Sequence, residues 1–178
     1  MTRQDPDETA TPVLPTLHAT PTVFSGCCLA LSAPLIAHLQ SLLPPPPQLV
    51  LSIGSGFGLL EALLLDTRHV IGVEVKPSPN RHLPSTNHHT VHGSRFLDAL
   101  AGEAAAWLFV YPRRVGLVDE YLAEYGSRAV QQIVWIGPQA DWDDYKRCFR
   151  GWDVHAQAAD DGGGRACELI AVARKGRD

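Results

Sequence analysis

Short apolar runs separated by glycine and proline mark most of the chain. Leu49–Ile53 (LVLSI), His69–Val75 (HVIGVEV), Trp107–Tyr111 (WLFVY), Val130–Ile136 (VQQIVWI), Trp152–Gln157 (WDVHAQ) and Cys167–Ala173 (CELIAVA) have the length and residue types of strands. Thr90–Val91 and its neighbours supply a short seventh. Between these runs the apolar positions recur at helical spacing. Leu35, Ile36, Leu39, Leu42 and Leu43 predict a helix over Ala33–Leu43, with Ser32 as its cap and Pro34 in the tolerant first turn. Pro44–Pro47 stops it and acts as a stiff connector. Further helices are predicted over Leu59–Leu65, Phe96–Ala106, Gly116–Glu124 and Asp141–Phe149, the last capped by Asp141; Pro77–Asn87 reads as a loop. Asp160–Gly164 (DDGGG) is turn chemistry, so the last two strands should pair as an antiparallel hairpin.

Alternating strands and helices predict an α/β fold. Its sheet should be doubly wound, mostly parallel and seven-stranded, with the hairpin at the C-terminal end and helices on both faces. Residues 1–22 mix Pro, Thr and Asp and read as a flexible N-terminal arm, leaving 23–178 as a single domain.

Composition narrows the function classes. The chain has 178 residues, 45% of them hydrophobic, which suffices for one core. A net charge of −4 argues against bulk binding of nucleic acid or of an anionic membrane. The start MTRQDPDE lacks the basic region of a signal peptide, and the apolar run Cys27–Leu43 is interrupted by Ser32, Pro34, His38 and Gln40. A soluble, cytoplasmic protein is expected. The four cysteines have no CxxC spacing and read as buried or partly buried free thiols. His82, His88, His89 and His92 lie in a polar stretch and read as loop residues, with no metal site expected. Trp107, Trp135, Trp142 and Trp152 sit in different elements without a basic stripe, which favours packing over base stacking.

The chemistry concentrates at the first strand's end. Gly54, Gly56 and Gly58 follow a buried strand and precede a helix. Glycines there let the backbone turn sharply and approach a ligand, and the helix start offers free N–H groups. Glu74 ends the second strand, where a carboxylate can accept from two ribose hydroxyls. The spacing is G-x-G-x-G, and Leu59 stands where a dinucleotide fingerprint would need its third glycine, which disfavours a nicotinamide reductase.

From about Leu35 to Arg174 the sequence resembles the class I S-adenosylmethionine-dependent methyltransferases, LVLSIGSGFG matching their first motif and VIGVEV their second. The resemblance implies S-adenosylmethionine as cofactor and S-adenosylhomocysteine as product. It places Gly54, Ser55, Gly56 and Gly58 at the methionine part, Glu74 at the ribose and Ser94, in HGSR, near the adenine. Ser52 stands where the family often has an acidic residue near the cofactor's amino group, and Glu61 is a candidate to compensate. At the end of the fourth strand, Tyr111-Pro112-Arg113-Arg114 matches the family's Asn/Asp-Pro-Pro-aromatic motif only in part. Tyr111 and Arg113 are the candidate residues on the reaction side, shaping the pocket or holding an acidic substrate. Methyl transfer needs alignment and, for a weak nucleophile, a base. The first reading is a methyltransferase acting on a small-molecule acceptor. The second is a methyltransferase-like, non-catalytic subunit working through a partner protein. A second copy of the chain is also open as partner.

Overall fold

The structure is a computed structural model and describes residues 13–176. Seven strands form one sheet: β1 (Leu49–Ile53), β2 (His69–Val75), β3 (His88–Val91), β4 (Ala106–Val110), β5 (Gln132–Pro138), β6 (Trp152–Ala158) and β7 (Glu168–Lys175). Their order is β3-β2-β1-β4-β5-β7-β6. β1 pairs in parallel with β2 and β4, β2 with β3, and β4 with β5. β7 inserts antiparallel between β5 and β6, so the expected C-terminal antiparallel pair is present and closes the sheet.

Each face of the sheet carries its own core. On one face α1 (Ala33–Leu42) and α2 (Leu59–Leu64) cover Val50, Val70, Leu108, Val134, Ile170 and Val172. On the other, α3 (Val115–Tyr125) and the short α4 (Trp142–Tyr145) cover Leu51, Ile53, Trp107, Phe109, Ile133 and Trp135. Alternate residues of β1 and β4 thus serve opposite cores, which is why both strands read as continuous apolar runs. Trp107 and Trp135 are fully buried, and Trp142 and Trp152 pack against the second core.

Three expectations are corrected. Phe96–Ala106 is not an α-helix; only Ala99–Gly102 turns, as a 3-10 helix. The Asp98 carboxylate accepts from Leu100 N, and Trp107 Nε1 donates to Ala101 O. The Asp98 N–H donates to the Tyr121 hydroxyl, so side chains satisfy backbone groups that a longer helix would have paired internally. Asp141 makes no capping bond, and its helix breaks into two 3-10 turns around the four residues of α4. Cys28 and Cys167 are exposed, although all four cysteines are free thiols.

Of the arm expected over residues 1–22, residues 1–12 lie outside the described part. Beyond them Leu17 packs on the first core, His18 O accepts from Ala33 N, and Thr22 pairs with Leu31. Among the described residues no helix is long and apolar enough to cross a membrane.

Ser32 caps α1 as expected, its Oγ accepting from Leu35 N at 3.1 Å. The same hydroxyl donates to Gly163 O at 2.6 Å, tying α1 to the turn before β7. Ser32→Ala should therefore lower stability by about 1–2 kcal/mol, a cap plus a buried hydrogen bond. Urea unfolding checks this; an unchanged midpoint would show that water replaces both bonds.

Candidate functional site

The glycine turn is pinned between β1 and β2. Gly54 N and Ser55 N both donate to Val73 O, at 2.8 and 3.1 Å. Gly56 N donates to Glu74 Oε2 at 2.8 Å, and Glu74 Oε1 accepts from Val75 N at 2.8 Å. Gly54 and Gly56 have φ of +84° and +57°, in the region that L side chains avoid. A Cβ on Gly54 would meet nothing within 4 Å, so the turn presents bare backbone to open space.

That space is a cavity of about 1040 Å³ over the carboxyl ends of β1, β2 and β4. Ligands in open α/β sheets bind at this edge. Gly54, Ser55, Gly56, Glu74, Ser94, Tyr111 and Arg113 all line it. Ser52 and Gly58 do not. Ser52 is buried beneath the turn, and Gly58 is a packing position: a Cβ there would lie 2.7 Å from Asn80 Oδ1 and 2.8 Å from Leu83 Cγ.

Ser52 reaches the cavity through a second residue. Its hydroxyl donates to Glu61 Oε1 at 2.6 Å, and Glu61 lines the cavity while almost fully buried. Burial pushes the Glu61 carboxyl up from 4.5 to about 7, opposed by the Ser52 bond and reinforced by the nearby charge of Glu74. A carboxylate from α2, hydrogen-bonded to Ser52, thus stands at the cavity wall.

The end of β4 is held from behind. Tyr111 has φ +48°, the one non-glycine residue of positive φ among those described. Its hydroxyl donates to Glu168 Oε1 at 2.8 Å. The fully buried Glu168 carboxylate also accepts from Ala30 N, from Arg165 N and from Arg165 Nη2 at 3.2 Å. Burial and the Glu168 bond raise the Tyr111 pKa, so its phenol stays neutral and donating. Tyr145 donates its hydroxyl to Pro112 O at 2.6 Å. Arg114 is committed to both Glu120 oxygens and to Ser94 O, whereas Arg113 is exposed at the cavity.

Sequence patterning missed one wall. Val23–Cys28 also lines the cavity, with Gly26 (φ +73°) lying against the Phe57 ring and its carbonyl next to Gly56. Glu168 was also missed, although a lone carboxylate inside the apolar run CELIAVA is a visible signal. Among the described residues no cluster of three or more His, Cys, Asp or Glu side chains suits a metal; His88 is bonded to Ser78 and His89 to Asp98.

No family model and no curated protein matches the sequence. Solved structures do match. A precorrin-6y C5,15-methyltransferase from Geobacter metallireducens GS-15 superposes with a TM-score of 0.58 at 11% identity, over 90% of this chain and 100% of that one. The chain has the class I methyltransferase fold. A precorrin 8w decarboxylase from Methanobacterium thermoautotrophicum gives 0.56 at 16% identity, over 87% and 96% of the two chains. A 23S rRNA methyltransferase gives 0.53 at 12% identity, over 84% and 70%. Methyltransferases of different acceptors, and a protein named as a decarboxylase, share this architecture, so the acceptor must be argued from the site.

Glu61 makes stability depend on pH. Its folded pKa of about 7 lies above the ordinary 4.5, so the folded state holds the proton longer than the unfolded chain. Stability is then greatest below pH 4.5 from this group and falls as pH rises through 7, by at most about 3 kcal/mol. Glu61→Gln should flatten the stability profile between pH 5 and pH 7.5, as read by chemical unfolding at several pH values. An unchanged slope would mean that Glu61 is not a buried titrating group.

Proposed function

We propose that the protein is an S-adenosylmethionine-dependent methyltransferase acting on a small-molecule acceptor. The observation that carries this is the placing of two carboxylates, Glu74 and Glu61, around one bare glycine turn in one cavity.

The residues fit the cofactor. Each Glu74 oxygen uses one acceptor site on a backbone N–H, at Gly56 and at Val75. An ionised carboxylate has about four acceptor sites, so one per oxygen remains for a ribose hydroxyl. Glu61 offers a desolvated carboxylate to the methionine ammonium, with Ser52 fixing its orientation. Gly54, Ser55 and Gly56 form the floor between them, and Ser94 lines the side assigned to adenine. Gly58 supports this floor by packing.

The bound cofactor supplies a methyl group carried on a positively charged sulfur. The chain's own contribution is placement. Tyr111 and Arg113 stand at the acceptor side, over the end of β4. The Tyr111 hydroxyl keeps its proton and donates it in a hydrogen bond to Glu168, so Tyr111 shapes the pocket and is not a general base. Walls from Val23–Cys28 and Leu117 exclude water and align the reactants, where effective concentration does most of the work. Free thiols fit a reducing compartment, and we place the reaction in the cytoplasm.

The commitment of Tyr111 to Glu168 also supports the second reading, a cofactor-binding subunit that acts through a partner. Turnover separates the two: that subunit binds cofactor and transfers no methyl group when alone.

Calorimetric titration should show S-adenosylmethionine and S-adenosylhomocysteine binding in preference to NAD; binding of NAD alone would overturn the reading. Glu74→Gln should weaken S-adenosylhomocysteine about ten- to a hundredfold, the loss of charge-assisted bonds, and should lower the thermal midpoint modestly because one of the two backbone N–H groups of the turn loses its acceptor. Gly56→Val should abolish binding, because valine cannot hold φ +57° without strain. Affinity should rise from pH 6 to pH 8 as Glu61 ionises to meet the ammonium, and Glu61→Gln should remove that rise.

A further inference from the structure

The cavity is larger than the cofactor reading uses. At about 1040 Å³ it stands at the top of the range of about 300–1,000 Å³ that serves one drug-sized ligand. The strand order puts the Tyr111–Arg113 turn, after β4, on the other side of β1 from Glu74 at the end of β2, so the β4 end of the cavity is the part the cofactor reading leaves free.

We propose that this half takes a small, flat aromatic acid whose carboxylate is held by Arg113. The inference rests on the methyltransferase reading for the half it leaves free. Carbon dominates the walls. Phe24, Cys27, Val110 and Tyr111 pack on one apolar cluster, and Val23 stands 58% exposed at the rim. The polar ends of the β4 turn are spent elsewhere: the Tyr111 hydroxyl on Glu168, and the Pro112 carbonyl on Tyr145. What the turn offers a ligand is therefore the Tyr111 ring and the Pro112 ring. Flat apolar groups stack on such surfaces.

Charge selects the remaining feature. Two carboxylates line the cavity, and each is engaged at the cofactor side, Glu61 on Ser52 and Glu74 on the glycine turn. Arg114 is neutralised by Glu120 through two hydrogen bonds. Arg113, next in the chain, has no hydrogen-bond or ion-pair partner among the described residues. A free guanidinium beside an apolar wall fits a carboxylate, which can take two parallel N–H bonds. Lys76 also lines the cavity without an ion-pair partner among the described residues, but it stands two residues after Glu74 at the β2 end; a single free cation at the β4 end suits one anionic handle better than a polyphosphate backbone.

The test uses the full chain saturated with S-adenosylhomocysteine. Naphthoate, naphthalenemethanol and a short single-stranded RNA are titrated by calorimetry into the native protein, Arg113→Gln and Arg113→Lys. Naphthoate should bind more tightly than the alcohol. Arg113→Gln should weaken naphthoate about tenfold or more and leave the alcohol unchanged, and Arg113→Lys should fall between, because it keeps the charge and loses the fork. The thermal midpoint reports folding of the variants and should stay close to native, since Arg113 is exposed and has no partner among the described residues. Equal affinity for acid and alcohol, or an acid affinity indifferent to Arg113, overturns the proposal. Binding of RNA in preference to naphthoate overturns it in favour of a nucleic-acid acceptor. If S-adenosylhomocysteine fails to bind while naphthoate still binds through Arg113, the cofactor reading falls and the acid site stands.

Discussion

The carbonyl of Val73 fixes the geometry of the site. Parallel pairing places Ile53 beside Val73, so β1 ends level with the last buried residue of β2. The next two amides of β1, Gly54 and Ser55, both donate to that one oxygen. The chain cannot continue as a strand under this constraint and must fold back at positive φ, which glycine adopts at Gly54 and Gly56. One residue beyond Val73, Glu74 then meets Gly56 N. Strand register, turn and carboxylate are thus one arrangement: a slip by one residue would turn Glu74 to the opposite face of the sheet and leave the turn without its anchor.

Two further carboxylates are buried, Glu61 beside this turn and Glu168 behind the β4 end, and they are treated differently. Glu168 accepts from Tyr111, Ala30 and Arg165, with a guanidinium to balance its charge. Glu61 has Ser52 and no cation among the described residues. Burying a charge without a counter-charge is costly, and the raised pKa of Glu61 expresses that cost. The first carboxylate is structural: it joins the Leu29–Leu31 segment, the β4 end and β7. The second is kept under strain at a cavity wall, where an incoming cation would relieve it.

The sheet and most of its helices were legible because their patterns are local. Six apolar runs with glycine or proline between them leave few alternatives, and Ser32 before Pro34 announces a helix start. The segment from Phe96 to Ala106 was not legible, because its apolar positions fit a helix while Tyr121 and Trp107, distant in sequence or in the next strand, take over its backbone groups. In the site, glycines and Glu74 could be read because motif spacing encodes them. The separation of Gly54 and Gly56 from Gly58 could not, since it depends on Asn80 and Leu83 packing from a later loop. The wall Val23–Cys28 carries no periodicity at all; its place is set by Gly26 against Phe57 and by the pairing of Thr22 with Leu31.

The cavity has two kinds of wall. Its glycine-turn wall is built on strand ends and on backbone amides that are already paired across the sheet, so its geometry follows from the register. Its other walls, Val23–Cys28 and the turn after β4, are segments outside the sheet that are fixed by side chains: Gly26 on Phe57, Tyr111 on Glu168, Tyr145 on Pro112. Side-chain anchors of this kind change with few substitutions and without disturbing the strands. The sheet therefore sets the fold while the walls outside it are free to vary, and chains named as a precorrin methyltransferase and an rRNA methyltransferase share that fold with this one at only 11% and 12% identity.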